Sequence, residues 1–355
     1  MNIKKYLLLF LCLPCFMQAK TITISRLTCE MQEGLVVVEG SPRLGWVMES
    51  PENGTRQSAY EIDIREAFTG RSVWNSGKVY STQSQLVSIE GADIRPDNQF
   101  NYSWRVRVWD ETDAPSEWSR EAKFRSASSR LSEGKWIGAI TRQNAHLPEG
   151  RKFHGGELKK PEVKAAWEAV DTLAKKSICL RRTFQVGDRT EGNTNRQSGK
   201  KIVEATAYVC GLGFYEFSLN GKKVGNSEFA PLWSDYDKTV YYNTYDVTEQ
   251  LRHGENAVGI LLGNGFYNVQ GGRYRKLQIS FGPPTLLFEL VINYEDGTST
   301  TLRSDNDWKY DFSPVTFNCI YGGEDYDARR EQKGWNQVGF DDSHWLSLIH
   351  ISEPT

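Results

Sequence analysis

From Tyr102 to Val108 the chain alternates apolar and polar residues, which puts Tyr102, Trp104, Val106 and Val108 on one face. A period of two suits a half-buried strand and excludes a helix. Tyr60-Glu61-Ile62-Asp63-Ile64-Arg65 alternates in the same way. Turn chemistry separates these runs: Pro51-Glu52-Asn53-Gly54, Asn75-Ser76-Gly77 and Arg95-Pro96-Asp97-Asn98. Short strands at this spacing over residues 20–128 predict an immunoglobulin-like sandwich. Its aromatic residues are read as core, because flat rings fill the space between two sheets.

A second unit, residues 129–345, opens at Lys135-Trp136-Ile137-Gly138. A polar, glycine-rich loop at 146–156 precedes one helical stretch, an insertion over about 158–177. Pro161 suits a first helical position, and Val163, Trp167, Val170 and Leu173-Ala174 recur at helical spacing. Lys175 and Lys176 complement the negative end of the helix dipole. Strands return at Ile178. Gly211-Leu212-Gly213-Phe214-Tyr215-Glu216-Phe217-Ser218-Leu219 runs into Asn220-Gly221, a two-residue hairpin turn, and Asn293-Tyr294-Glu295-Asp296-Gly297-Thr298 marks another hairpin. Residues 189–200 read as an exposed loop. The fold class is all-β: two sandwiches in series, the second larger, with one short helical insertion.

The start of the chain is of another kind. Lys4 and Lys5 precede an apolar run from Tyr6 to Phe16, with Met17-Gln18-Ala19 after it. Charged, apolar and small residues in that order predict a signal peptide over 1–19, too short to span a bilayer. The protein is therefore expected to be secreted or periplasmic, with no membrane contact after cleavage. A net charge of −2 offers no basic face to nucleic acid. Cys29, Cys179, Cys210 and Cys319 are widely spaced and read as buried apolar residues, with disulfides left open. The five histidines are as scattered, so no metal site or cofactor is predicted.

Catalytic motifs are also missing. Gly211-Leu212-Gly213 lacks the third glycine of a dinucleotide loop, since Glu216 stands there, and leads into a strand rather than a helix. Glycoside hydrolysis needs two carboxylates facing each other across a sugar. Glu324, Asp325 and Asp327, like Asp341 and Asp342, are sequence neighbours and read as solvated turns. No catalytic residue is assigned. Trp233, Tyr236 and Tyr267 lie in turn-rich segments and are candidates for carbohydrate binding, by stacking a ring on a sugar face.

Two resemblances sharpen this reading. The Tyr60 strand, Val73-Trp74-Asn75-Ser76-Gly77 and Tyr102-x-Trp104-Arg105-Val106 resemble a fibronectin type III module, and Ser116-Glu117-Trp118-Ser119 and Phe124 fit its last strands. Residues about 205–345 resemble the N-terminal β-sandwich of bacterial α-L-rhamnosidases of the large inverting family. The matching blocks include Leu219-Asn220-Gly221-Lys222-Lys223-Val224-Gly225, Ala230-Pro231-Leu232-Trp233-Ser234-Asp235-Tyr236, Leu262-Gly263-Asn264-Gly265-Phe266-Tyr267, and Gly323-Glu324-Asp325-Tyr326-Asp327-Ala328-Arg329. The resemblance implies a jelly-roll-like second sandwich and an exported enzyme that removes terminal α-L-rhamnose from glycans. In that family the acid and base lie in an (α/α)6 barrel that follows the sandwich, so a missing C-terminal catalytic barrel and rhamnose-containing glycans are the implied partners. Glu324, Tyr326, Asp327 and Arg329 are expected to form a structural motif near the interface with that barrel. After Trp345 the family pattern stops, and residues 346–355 resemble the translation of a sequencing adapter, a non-native tail. The alternative is a stand-alone secreted carbohydrate-binding or adhesive protein of two sandwiches.

Overall fold

A computed structural model describes residues 22–38, 40–94, 101–126, 134–148, 152–187, 200–270, 273 and 277–350. The expected signal peptide, the Arg95-Pro96-Asp97-Asn98 turn, nearly all of the 189–200 loop and residues 351–355 lie outside these. The chain divides into two compact units, Met1–Ala127 and Ser128–Thr355.

The first unit is a sandwich of two sheets. Thr23–Cys29, Arg43–Glu49 and Val87–Ser88 form one. The other runs Val36–Val38, Ala122–Ser126, Tyr102–Trp109, Ala59–Glu66, Ser72–Asn75. Its two central strands pair antiparallel with Ile62 opposite Val106 and Ile64 opposite Trp104. The alternation thus delivers both apolar rows to one face, where they close on Leu44, Trp46 and Phe124. The Trp46 indole, sealed inside, donates to Gln57 Oε1 at 2.9 Å.

The other face of this sheet carries Arg105 and Arg107, and here expectation and structure differ. Residues 116–119 form no strand. Ser116 and Ser119 instead accept the Val108 and Val106 amides on their hydroxyls, each at 3.0 Å. This turns Trp118 across the sheet, with the Arg105 and Arg107 guanidinium carbons 4.6 and 4.8 Å from its ring centroid. Asp63 and Glu61 hold the far sides of the two guanidinium groups. Two such contacts contribute about 0.5–1 kcal/mol each at partly exposed sites. Trp118→Ala is expected to destabilise this unit by about 1–2 kcal/mol, read as a lower urea midpoint at unchanged slope.

In the second unit two antiparallel six-stranded sheets face each other. One runs Asn243–Asp246, Ile202–Leu212, Thr285–Tyr294, Ile137–Gly138, Ile349–His350, with Ser299–Arg303 also paired to Thr285–Tyr294. The other runs Lys222–Lys223, Tyr215–Leu219, Gly254–Leu262, Ile178–Val186, Lys309–Phe312, Leu346–Ser347. Alternate residues meet between them: Leu180, Phe217 and Ile260 from the second sheet, Val209, Phe288 and Leu290 from the first. Asn220 and Gly221 both take positive φ, the geometry of a tight type I′ hairpin turn.

The helical insertion is shorter than its apolar spacing suggests. The helix covers Pro161–Glu168, and a separate turn covers Thr172–Lys175, capped by Asp171 accepting the Leu173 amide at 2.7 Å. Val163, Trp167, Val170, Leu173 and Ala174 nevertheless pack in one cluster with Ile140 and Ala145. At the other end of the chain, Leu346–Ser347 and Ile349–His350 pair as edge strands, and Leu348 is buried. An alternating apolar segment pairs at an open edge whatever its origin.

The outer face of the second sheet is covered by residues 327–345. Arg181, on the middle of Ile178–Val186, is 2% exposed and points into this cover. Its guanidinium bonds Asp342 Oδ2 at 2.8 Å and donates to the carbonyls of Trp335 and Gln337 at 3.1 and 2.9 Å. Lys309 holds the other Asp342 oxygen at 2.8 Å. Burial works against the Asp342 charge, but hydrogen bonds from Lys309 and Arg181 outweigh it and hold this carboxyl below its ordinary value. A lowered folded value means that the contribution is complete above the unfolded carboxylate pKa and is lost as pH falls through the folded one. Arg181→Ala is therefore expected to destabilise this unit by about 3 kcal/mol at pH 7, by denaturant unfolding. Asp342→Asn should flatten the acid limb of its stability below about pH 4.

Candidate interaction surface

Gly213 is in a conformation with φ +126°, and a Cβ there would lie 2.1 Å from the Gly263 carbonyl oxygen. Two loops therefore meet backbone to backbone: 213–214 between strands Ile202–Leu212 and Tyr215–Leu219, and 263–267 after strand Gly254–Leu262. The Gly263 amide donates to the Phe214 carbonyl at 2.8 Å, and the Tyr215 amide to the Ala230 carbonyl at 2.8 Å. These glycines serve close approach; no phosphate cradle opens a helix here.

Beneath the junction lies a set of asparagines. Asn264 and Asn268 are 1% and 0% exposed. Asn264 donates from its side chain to the Lys175 and Asn318 carbonyls, at 3.0 and 3.1 Å, and its amide donates to Asn318 Oδ1 at 2.7 Å. Asn268 donates to the Ala174 carbonyl at 2.7 Å and to Asn264 Oδ1 at 2.9 Å, and accepts Ser280 Oγ at 2.8 Å. The end of the helical insertion, the 263–267 loop and the strand Val315–Cys319 are riveted together by these side chains.

On this base stands an aromatic face. Phe266 packs on Trp233, Phe214 and Tyr321 with ring centroids 5.4, 5.9 and 6.0 Å apart, and Phe214 packs on Phe229 at 5.5 Å. Phe229, Leu232, Trp233 and Tyr321 are 69%, 77%, 65% and 47% exposed. Phe229 also takes φ +53°, which a bulky side chain rarely adopts. Beside them opens a groove of about 500 Å³ rimmed by Glu216, Glu228 and Glu324. Lys223 reaches Glu228 at 2.8 Å and Glu216 at 3.6 Å.

The three aromatic candidates are thus separated. Trp233 is on the exposed face. Tyr236 and Tyr267 pack edge to face at 5.2 Å and join Trp136, Cys210 and Leu287 in a cluster on the outer side of the first sheet. Tyr267 is 4% exposed and presents no ring face to a sugar, a correction to its reading as a stacking residue. Burial pushes the Tyr236 hydroxyl up to about 12. Phe266 and Tyr267 are sequence neighbours that join different clusters, so a turn-rich block concealed one half-buried ring under the aromatic face and one core ring. The asparagines carried no sequence signal beyond belonging to glycine-rich blocks.

The acidic residues have separate partners. Asp325 pairs with Arg273, whose guanidinium also lies over Phe317. Asp327 caps the turn Ala328–Arg330 and bonds Arg329 Nε at 2.8 Å; that bond holds its carboxyl at about 2. Asp341 accepts the Ser343 amide at 3.0 Å. Glu324 and Tyr326 are exposed on the strand Gly323–Tyr326, and Glu324 lines the groove beside the aromatic face. The four described cysteines are free and buried, and burial raises the Cys29, Cys179 and Cys210 thiols to about 12.

These glycine, asparagine and acidic blocks coincide with a family pattern. Residues 200–355 match the family described as alpha-L-rhamnosidase N-terminal domain, and residues 24–129 match the Rha78A-like, N-terminal immunoglobulin domain. Both units thus match, in order along the chain, N-terminal domains of α-L-rhamnosidases. An α-L-rhamnosidase of Formosa agariphila is 35% identical over 96% of this chain and 35% of its own length. One from Streptomyces avermitilis is 28% identical over 90% of this chain and 44% of its own. Among solved structures, the α-L-rhamnosidase from Dictyoglumus thermophilum is 30% identical with a TM-score of 0.65, covering 95% of this chain and 35% of that one. The Aspergillus terreus enzyme is 27% identical with a TM-score of 0.70, covering 94% and 34%. The chain therefore spans between about a third and a half of the length of these rhamnosidases. The asparagine network makes the second unit sensitive to truncation at Asn264. Asn264→Ala strips two carbonyls of their donor in a buried site and is expected to destabilise the domain by about 2–3 kcal/mol, measured by denaturant unfolding, with Asn264→Asp no better.

Proposed function

We propose that this chain is the non-catalytic front of an exported α-L-rhamnosidase, an enzyme that hydrolyses terminal α-L-rhamnose from glycans in a domain beyond this sequence. The observation that carries the reading is the match of both units, in order, to rhamnosidase N-terminal domains. The fate of the carboxylates supports it: Asp325, Asp327 and Asp342 are held by arginines, an arrangement that builds structure and leaves none of the three free to act as acid or base. The division into residues 20–128, 129–345 and a non-native 346–355, behind a cleaved 1–19 leader, belongs to the same reading. So does a fibronectin type III character for the first unit, supported by its separation into sheets of three and six strands. Glu324, Tyr326, Asp327 and Arg329 are assigned to the interface with the catalytic domain, a reading supported by the exposure of Glu324, Tyr326 and Arg329 and by Glu324 lining the groove beside the aromatic face.

A second reading, a free-standing glycan binder, is favoured by the open ring of Trp233. It predicts saturable binding of rhamnosylated oligosaccharides that Trp233→Ala abolishes. The two readings separate on two measurements. The 355-residue polypeptide is expected to release no rhamnose from an aryl rhamnoside, and turnover by a clean preparation would overturn the assignment of catalysis to another domain. A long read of the genomic locus through the Trp345 codon is expected to continue into several hundred codons of paired helices. A stop after the same ten residues would sink the enzyme reading.

A further inference from the structure

The aromatic face is the most conspicuous apolar surface of the second unit. Phe229, Leu232, Trp233 and Tyr321 are each about half exposed or more; Trp233 and Tyr321 pack on Phe266, and Phe229 reaches it through Phe214. Contiguous exposed apolar side chains of this size mark a surface that something covers. Phe229 adds a conformational cost: an aromatic residue at φ +53° that buries little of its ring is unfavourable twice over, unless a partner takes the ring.

We infer that this face seats the polypeptide that follows the N-terminal region in the full-length enzyme, through an apolar surface that carries arginine or lysine at its rim. The inference rests on the reading proposed above and specifies which surface serves it. Three observations choose this occupant over a sugar. The relatives extend far beyond the matched region, which is 35% of the Formosa agariphila protein, so most of their chain must find a place against or beside it. The rings form no flat platform: Phe266 meets Phe214 and Tyr321 at 88° and 82°, an interlocked relief that suits protruding side chains better than the plane of a pyranose. The nearby amide of Asn318 is turned inward, accepting the Asn264 amide and donating to Ser177 Oγ at 2.5 Å, so its bonds serve the loop rather than a sugar. Charge then selects the rim of the partner. Glu216, Glu228 and Glu324 line the adjoining groove, and Lys223 is already drawn to the first two. A matching surface supplies cations there, as interfaces supply opposite potentials.

The test is hydroxyl-radical footprinting of the full-length natural protein, read by peptide mass spectrometry. Trp46 and Trp104, each 1% exposed, serve as buried standards of the same chemistry. The expected result is Trp233 oxidised as slowly as these two, about tenfold below an open tryptophan, as burial at an interface core demands. Trp233→Ala and Phe229→Ala in the same protein should leave the secondary structure intact and split one unfolding transition into two. Trp233 reacting as an open residue would overturn the inference. So would protection that appears only with added rhamnosylated oligosaccharide, or only as protein concentration rises, since these give the face to a glycan or to a second copy. Should the locus encode no further chain, the enzyme reading fails. Should it encode one while Trp233 stays reactive, the inference alone fails.

Discussion

The buried guanidinium of Arg181 organises the second unit from outside its core. The outer side of a sheet is ordinarily left to solvent, and a charge placed there needs no partner. Here residues 327–345 cross that side, and their carbonyls, having no sheet of their own, converge on Arg181 while Asp342 neutralises it. A buried charge so completely satisfied adds little net stability over an apolar contact but strongly disfavours alternatives, because any shift of the cover leaves it unpaired. Gly259 completes the fit. A Cβ there would stand 2.5 Å from the Asn336 Cβ, so the strand must be bare where the cover passes. Asn336 then donates to Ser218 Oγ at 3.0 Å, tying the cover to the next strand.

The same logic separates what the sequence disclosed from what it concealed. Alternation places the core rows of Tyr102–Trp109 and Ala59–Glu66, since one face must be apolar and the next residue must point away. Asn220-Gly221 is legible for a related reason: both residues adopt positive φ, and few residue pairs do so cheaply. Layers packed outside the sheets obey no period. Trp335 and Trp345 carry no mark in the sequence of which strand they will cover, and Arg181 reads as any polar residue on an outward-facing position. Ser116 and Ser119 mislead in the opposite sense. Their segment looks like a strand, yet hydroxyls accepting the Val108 and Val106 amides do what a strand would do and free Trp118 to lie over two arginines.

The candidate surface shows the limit most sharply. Trp233, Tyr236 and Tyr267 have similar neighbours, all rich in turn residues, and chemistry alone makes each a plausible sugar contact. The fold separates them, sending Tyr236 and Tyr267 onto the outer side of one sheet and Trp233 onto the exposed aromatic face. The junction of Gly213 with Gly263 is likewise a feature that no pattern of hydrophobicity announces. Its glycines are visible in the family blocks, but their purpose, the approach of two backbones to a distance no Cβ permits, emerges only in three dimensions.

The asparagine network explains why an open aromatic face is built so rigidly. A loop that only had to remain soluble would be polar and tolerant. Asn264, Asn268 and Asn318 instead spend buried hydrogen bonds on holding the 263–267 loop against the end of the helical insertion and the strand Val315–Cys319. Buried amides of this kind are worth little in net stability when satisfied and are damaging when not, so their return is positional accuracy. The ring they position most directly is Phe266, at the centre of the exposed cluster, with Trp233 and Tyr321 leaning on it from two sides. Rigidity below and apolar exposure above together describe a preorganised half of an interface, in which the ordering cost of the contact residues has been met in folding rather than at association.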